Sequence, residues 1–210
     1  MSVVNVVEYP VSDFPANEIS RREILRYMKC KEISPEIEAL IDASLRECSD
    51  KFTYKIVYRE FSISIKEDNV DLGFLQVDSR DLAKILNNCD SVILFAATIG
   101  LEIDRTILKY SHLSPALALC IQAIGAERIE SLCDRFSLDL QGKFALQHRS
   151  LTPRFSPGYG DLPIEIQRDI FTALSCEKNI GLTLNRSFLM SPTKSVTAII
   201  GIKKPLFHKE

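Results

Sequence analysis

The sequence lacks the residue patterns that mark the common catalytic sites. Its three histidines, His112, His148 and His208, are too far apart to suggest a metal centre, and no His-x-x-x-His pair occurs. There is no Gly-x-Ser-x-Gly nucleophile elbow. A P-loop and a Gly-x-Gly-x-x-Gly turn are also missing, which argues against the usual phosphate and dinucleotide cradles. The sequence therefore predicts no metal site and no Rossmann-type chemistry.

Other absences limit the compartment and the partners. No two of the six cysteines are closer than 13 positions, so there is no Cys-x-x-Cys pair, and we expect buried thiols in a reducing cytosol. The formal net charge is -2, without the basic clusters that mark a nucleic-acid-binding surface. No apolar run approaches the roughly 18 residues of a membrane span, and no signal peptide is evident. We expect a cytoplasmic protein that binds neither nucleic acid nor membrane.

Apolar spacing and turn residues predict both helices and strands. Helices are expected at 21–29 behind a Ser20 cap, from Pro35, at 79–86, near 101–110, at 115–140 and from Pro163 to Leu174. Strands are expected at 53–65 (one strand or two), 72–77, 91–98, 182–190 and 195–202, after an extended lead-in over 1–17. The mixture lacks a βαβ rhythm, which favours an α+β fold with a largely antiparallel twisted sheet flanked by helices. We expect one domain spanning 1–210.

The long helix carries an acidic stripe of Glu127, Glu130 and Asp134. Such a stripe usually belongs to a solvated face, and Arg128 and Arg135 would then supply its counter-charges. The alternative is a set of carboxylates that holds a cation or a polar ligand. Composition favours the solvated face.

One loop segment has the equipment of a small-molecule cradle. It reads Arg-Phe-Ser-Pro-Gly-Tyr-Gly-Asp from Arg154 onwards. Arg154 offers a planar fork for a carboxylate, and Tyr159 offers a flat ring with a polar tip. Gly158 and Gly160 let a ligand approach the backbone closely. A tight Pro-Gly turn with an incidental arginine is the simpler alternative, and composition alone favours that turn.

Two motifs together resemble a known family. The first is Arg-x-x-Pro-Gly-Tyr at Arg154, followed by Pro163. The second lies in the tail and consists of Gly181, Leu184, Ser187, Phe188, Met190, Pro192, Ser195 and Val196. In this order and at this distance, they resemble the activation (reactivation) domain of cobalamin-dependent methionine synthase. The helix with Ala126, Glu127 and Arg128 looks like the helix that precedes the motif loop in that family.

The resemblance implies a function and a site. It implies a protein that binds S-adenosylmethionine and presents it to a cobalamin carried by a partner protein. A flavodoxin-like or other donor would supply an electron, and S-adenosylmethionine would supply the methyl group that remethylates the oxidised cobalamin. Arg154 would then grip the methionyl carboxylate, and Tyr159 would hold the catalytic position facing the corrin. The implied ligand-binding residues are Arg154, Phe155, Ser156, Pro157, Gly158, Tyr159 and Gly160, with Asp161 in the same loop.

The sequence departs from the family pattern at two acidic positions. His148 stands where the family has a glutamate, and Ser20 stands where it has an aspartate that contacts the ligand. Glu127 or Glu130 are candidates to replace these carboxylates. The cobalamin-binding and zinc elements of a whole methionine synthase are also missing, so we expect action in trans on a separate cobalamin-bearing subunit. The alternatives are a corrinoid-protein interaction or assembly factor that has lost S-adenosylmethionine binding, and an unrelated methyltransferase.

Overall fold

A computed structural model describes residues 3–205 of the chain. The strands are β1 (Asn5–Tyr9), β2 (Tyr54–Ser62), β3 (Ser64–Lys66), β4 (Asn69–Asp71), β5 (Gln76–Asp78), β6 (Cys89–Thr98), β7 (Thr183–Leu184), β8 (Met190–Ser191) and β9 (Ser195–Lys203). The helices are α1 (Arg21–Met28), α2 (Pro35–Cys48), α3 (Arg80–Ile85), α4 (Leu101–Leu113), α5 (Pro115–Ala145), α6 (Gln167–Leu174) and α7 (Cys176–Ile180). His208 lies outside the described residues.

The main sheet is antiparallel, with the strand order β1-β2-β6-β9. Strand β6 pairs on both sides and is apolar on both faces, because a helical layer covers each face of the sheet. Residues such as Phe95 pack on one face against α1, α2, α4 and α5. Residues such as Leu94 pack on the other face against α3, α6, α7 and the small β3-β4-β5 sheet. The predicted α+β class with a largely antiparallel sheet is confirmed.

Several helix starts follow from local capping chemistry. The Ser20, Ser34 and Ser79 hydroxyls each accept the backbone N–H three residues further on, which confirms the expected start of each helix. Proline occupies the first turn of α2 and of α5, where its missing N–H costs nothing. The last predicted helix begins as a short 3-10 turn at Ile164–Ile166 and continues as α6.

Two strand predictions and the prediction of an extended lead-in need correction. The segment Leu72–Leu75 is a turn between β4 and β5, because Gly73 takes a positive φ of 78° and the Leu72 N–H donates to the Leu75 carbonyl. In the tail, the side chain of Asn185 accepts the amides of Ser187 and Leu189. This local turn leaves only the ends of the predicted 182–190 strand paired, as β7 and β8.

The third correction concerns the lead-in over 1–17. Within residues 3–17, the edge strand β1 pairs with β2, and 3-10 turns follow at Val11–Asp13 and Ala16–Glu18. Proline precedes each turn and fixes the backbone at its start. The lead-in therefore belongs to the main sheet and ends in turns.

The structure bears on the expected burial of the thiols and on the search for a membrane-spanning helix. Within the described residues all six cysteines are free, and all but Cys30 are buried. Burial raises the pKa of the Cys48 thiol to about 12, so this group packs as a small apolar side chain. Within residues 3–205, no helix combines the length and apolar composition needed to cross a bilayer.

Candidate functional site

The Arg154–Asp161 segment, called the motif loop below, runs beside the edge strand β9. The Phe155 N–H donates to the Ile199 carbonyl at 3.0 Å, and the Ile199 N–H donates back to the Phe155 carbonyl at 2.9 Å. A second bridge, between Leu151 and Ile202, lies just before the loop. The sheet therefore fixes the start of the motif loop, although the loop has no regular secondary structure.

Two glycines shape the turn at the centre of the motif loop. Gly158 and Gly160 have positive φ values of 87° and 55°, and a Cβ at Gly160 would collide with the Asp81 carboxylate. The Gly158 N–H donates to the Leu162 carbonyl at 2.9 Å, and the Tyr159 N–H donates to the Ser156 carbonyl at 3.2 Å. The Pro-Gly turn favoured by composition is therefore present, together with the cleft described below.

Asp161 fixes the far end of the motif loop to helix α3. Its carboxylate accepts the Ser79 hydroxyl, the Arg80 N–H at 2.9 Å and the Asp81 N–H at 3.3 Å. The Ser79 hydrogen bond, followed by the two amides, holds the pKa of Asp161 below its usual range. The loop is thus anchored at both ends, by β9 and by α3.

We expect Asp161→Asn to lower the thermal midpoint of unfolding at neutral pH. The folded state lowers the pKa of this carboxyl, so the ionised carboxylate stabilises the fold. This stabilisation is complete above the unfolded pKa near 3.9 and is lost as the pH falls through the lower pKa of the folded state. The difference in thermal midpoint between the wild type and the variant should therefore disappear as the pH falls below about 4. Thermal melts between pH 3 and pH 7 measure it, and a gap that is the same at every pH would contradict the charge-based explanation.

A cleft of about 390 Å³ lies between the motif loop, helix α5, the start of α6 and the start of β9. Its walls come from both sequence motifs and from positions outside them. The lining residues are Glu130, Arg154, Phe155, Ser156, Pro157, Tyr159, Gln167, Met190, Ser195, Val196 and Thr197. The fold therefore brings together two motifs that are separate in the sequence.

Among the described residues that line this cleft, Arg154 is the cation, and its side chain is only 24% exposed. Its Nη2 atom lies 2.7 Å from Asp134 Oδ1 and 3.2 Å from Glu130 Oε2. Its Nη1 atom is buried and has no protein partner. The guanidinium is therefore oriented by two carboxylates of α5, and Nη1 is left without a partner among the described residues.

The two carboxylates leave an excess of negative charge beside the cleft. Partial burial, and then the neighbouring charge of Glu130, raise the pKa of Asp134 above its usual range. Both acids share the single guanidinium of Arg154. Arg135 was predicted to be a counter-charge of the acidic stripe on α5, but its side chain pairs with Asp139 at 3.2 Å. A ligand with a positive group would complete the charge balance.

The prediction of a solvated acidic face is wrong for Glu127. Glu127 and Arg128 are 5% and 4% exposed and form a buried ion pair, with Arg128 Nε 2.6 Å from Glu127 Oε2. Glu127 Oε1 also accepts the Ser20 N–H at 3.0 Å, and Arg128 Nη1 donates to the Phe14 carbonyl at 3.2 Å. The pair therefore connects α5 to the lead-in and to α1, which covers this face of the helix.

The predicted site residues occupy different places around the cleft. Tyr159 lines it and is 66% exposed, so its ring is available at the surface. Gly158 and Gly160 are not part of the lining, and their role as ligand contacts stays a prediction. Ser20 lies in an adjoining acidic pocket of about 290 Å³ that shares Glu130 with the cleft. His148 lines neither space, so it does not replace the missing glutamate there.

Sequence reasoning missed Gln167 and Thr197. Both are buried in the cleft wall, at 5% and 2% exposure. A glutamine at the start of a helix and a threonine within a strand resemble ordinary surface positions in a sequence. Only the packing of α6 and β9 around the motif loop reveals that these two side chains share one cleft.

A larger groove of about 810 Å³ lies between α6, α7 and the β7-β8 hairpin. Its cations are Arg168, Lys178 and Arg186. It contains no residue of the motif loop and none of the unpartnered buried polar atoms of residues 3–205. In the described part of the chain, no group of three or more His, Cys, Asp or Glu side chains is placed to hold a metal ion. The smaller cleft is therefore the better candidate for a specific site.

No family model and no curated protein sequence matches the chain. Among solved structures, it is similar to the crystal structure of the MetH reactivation domain bound to AdoHcy (S-adenosylhomocysteine). The TM-score is 0.72, with 99% of this chain and 80% of that chain covered, at 16% sequence identity. An identity this low establishes the fold alone. The fold expected from the two sequence motifs is therefore confirmed.

Proposed function

We propose that the cleft binds S-adenosylmethionine and that the protein is a cytoplasmic activation protein for a cobalamin-dependent methyltransferase. The observation that carries the proposal is the position of Arg154. Its guanidinium lies in the wall of a cleft built from the motif loop and β9, oriented by Glu130 and Asp134, with Nη1 unpartnered. The fold shared with a domain solved with AdoHcy supports the same assignment.

The charges around the cleft suit this ligand. S-adenosylmethionine has a carboxylate, an ammonium group and a sulfonium, and its net charge is positive. Arg154 is able to donate to the carboxylate, while Glu130 in the cleft wall and Asp134 beside it favour a ligand of net positive charge. A volume of about 390 Å³, with a further 290 Å³ in the adjoining pocket, is within the range of small-molecule sites.

Calorimetric titration of the purified protein with S-adenosylmethionine and with AdoHcy tests the proposal. We expect saturable binding of both ligands at one site, with a dissociation constant on the order of micromolar. Heat without saturation, or no heat from a folded protein, would contradict it. Those results would favour the interaction factor that has lost ligand binding, with Arg154 as a structural ion-pair partner.

The finer part of the proposal is action in trans on a cobalamin-bearing methionine synthase subunit. S-adenosylmethionine supplies an activated methyl group, and this chain holds and orients it. The exposed ring of Tyr159 lies at the cleft, where the partner's corrin would approach. An anaerobic mixture of the protein, S-adenosylmethionine, a flavodoxin-like reductant and a synthase lacking its own reactivation domain should recover synthase activity. The same mixture without this protein is the control, and equal recovery in both would exclude the role in trans.

A further inference from the structure

Three residues that line the cleft contribute buried polar atoms that have no protein partner. These atoms are Arg154 Nη1, Gln167 Oε1 and Thr197 Oγ1. Buried polar groups almost always have hydrogen-bond partners, and leaving one unpaired costs free energy. A concentration of such atoms at one place therefore indicates polar ligand groups that bind there.

The other unpartnered atoms of residues 3–205 have a different character. The hydroxyl of Ser44 lies beside the Cys120 thiol, and the Tyr54 hydroxyl lies beside Arg128. Arg21 Nη1 lies 3.9 Å from Glu38 Oε1. Each of these atoms reaches a partner after a small shift of a side chain. In contrast, Arg154, Gln167 and Thr197 all line one cleft.

We infer that Gln167 and Thr197 are ligand-binding residues that recognise an α-amino-acid head group. The inference rests on the proposed function and assigns the end of the ligand that enters the cleft wall. A guanidinium nitrogen only donates, an amide oxygen only accepts, and a hydroxyl does both. A carboxylate that accepts from Arg154 Nη1 and Thr197 Oγ1, together with an ammonium that donates to Gln167 Oε1, satisfies all three atoms.

This assignment also explains the departures at the two acidic family positions. His148 is outside the cleft, and the Ser20 hydroxyl caps α1 by accepting the Glu23 N–H at 3.3 Å. Gln167 offers a neutral acceptor for the ammonium group. The methionyl end then lies against α6 and β9, and the adenosine end extends toward the adjoining pocket that shares Glu130.

The test compares Thr197→Val and Gln167→Met with the wild type, using two ligands. AdoHcy has the amino-acid head, whereas 5′-methylthioadenosine lacks it and is measured by competition against radiolabelled AdoHcy. We expect each variant to lose about 10-fold or more in affinity for AdoHcy and to keep its affinity for 5′-methylthioadenosine. Because neither atom has a protein partner, the thermal midpoint should not fall.

Thr152→Val is the matched control. The Thr152 hydroxyl accepts the Gly201 N–H at 2.8 Å and lies outside the cleft, so this variant should lose stability and keep its AdoHcy affinity. Unchanged AdoHcy affinity in both cleft variants would overturn the inference, and so would an equal loss for both ligands. If the wild type itself binds no AdoHcy, the proposed function fails first, and the two failures are thus distinguishable.

Discussion

Arg154→Ala is expected to weaken S-adenosylmethionine binding by about 2 kcal/mol or more, which is about 30-fold in the dissociation constant. The variant removes the only cation among the described residues that line the cleft, and it leaves Glu130 and Asp134 without their shared partner. The carboxylate of the ligand then loses its charge-assisted hydrogen bond. Calorimetric titration of the wild type and the variant measures the difference.

Two further variants make this prediction specific. Arg154→Lys keeps the charge but loses the planar fork that touches both acids and the cleft, so we expect a loss smaller than that of alanine. Arg186→Ala is the matched control, because Arg186 is an exposed arginine of the other groove. An equal loss of affinity in Arg154→Ala and Arg186→Ala would indicate nonspecific electrostatic attraction and would contradict binding in the cleft.

Arg154→Ala should have little effect on the stability of the fold. The Glu130 and Asp134 side chains are 47% and 68% exposed, so solvent screens their pairing with Arg154. We expect the free energy of unfolding to fall by less than about 1 kcal/mol. A large loss of stability would mean that Arg154 has a structural role. The measured affinity would then have to be corrected for the fraction of folded protein.

The sequence was informative where the deciding interactions are local. The apolar run of β6, the serine caps of α1, α2 and α3, and the prolines at the starts of α2 and α5 each depend on neighbours a few residues away. The motif loop was identified by residue type, since a Pro-Gly-Tyr-Gly run demands an unusual backbone. Its ligand contacts stay a prediction.

The sequence was misleading where the partner is distant along the chain. Glu127, Glu130 and Asp134 have the same helical spacing, yet Glu127 is buried, Glu130 lines the cleft and Asp134 lines the adjoining pocket. The difference arises because residues 14–20 cover one part of α5, and no periodicity within α5 reports what packs on it. Gln167 and Thr197 are similar cases, since both are buried in the wall of a cleft that α6, β9 and the motif loop form together.

Glu127→Gln is expected to lower the free energy of unfolding by about 3–5 kcal/mol. The substitution keeps the size of the side chain but leaves the Arg128 guanidinium, which is 4% exposed, as a buried charge without a counter-ion. Urea denaturation of the wild type and the variant gives the difference. Arg135→Met on the same helix is the control, because the Arg135–Asp139 pair is exposed and should contribute no more than about 1 kcal/mol.

The double variant Glu127→Gln/Arg128→Met separates the pair from its surroundings. Removing both charges leaves no buried ion, so we expect the double variant to lose less stability than the sum of the two single variants. The shortfall measures the coupling between the two side chains. The remaining loss reports the Ser20 N–H and the Phe14 carbonyl, which the pair now satisfies. If the single losses simply add, Glu127 and Arg128 act independently, and the attachment of the lead-in and α1 to α5 depends on hydrogen bonds and apolar packing.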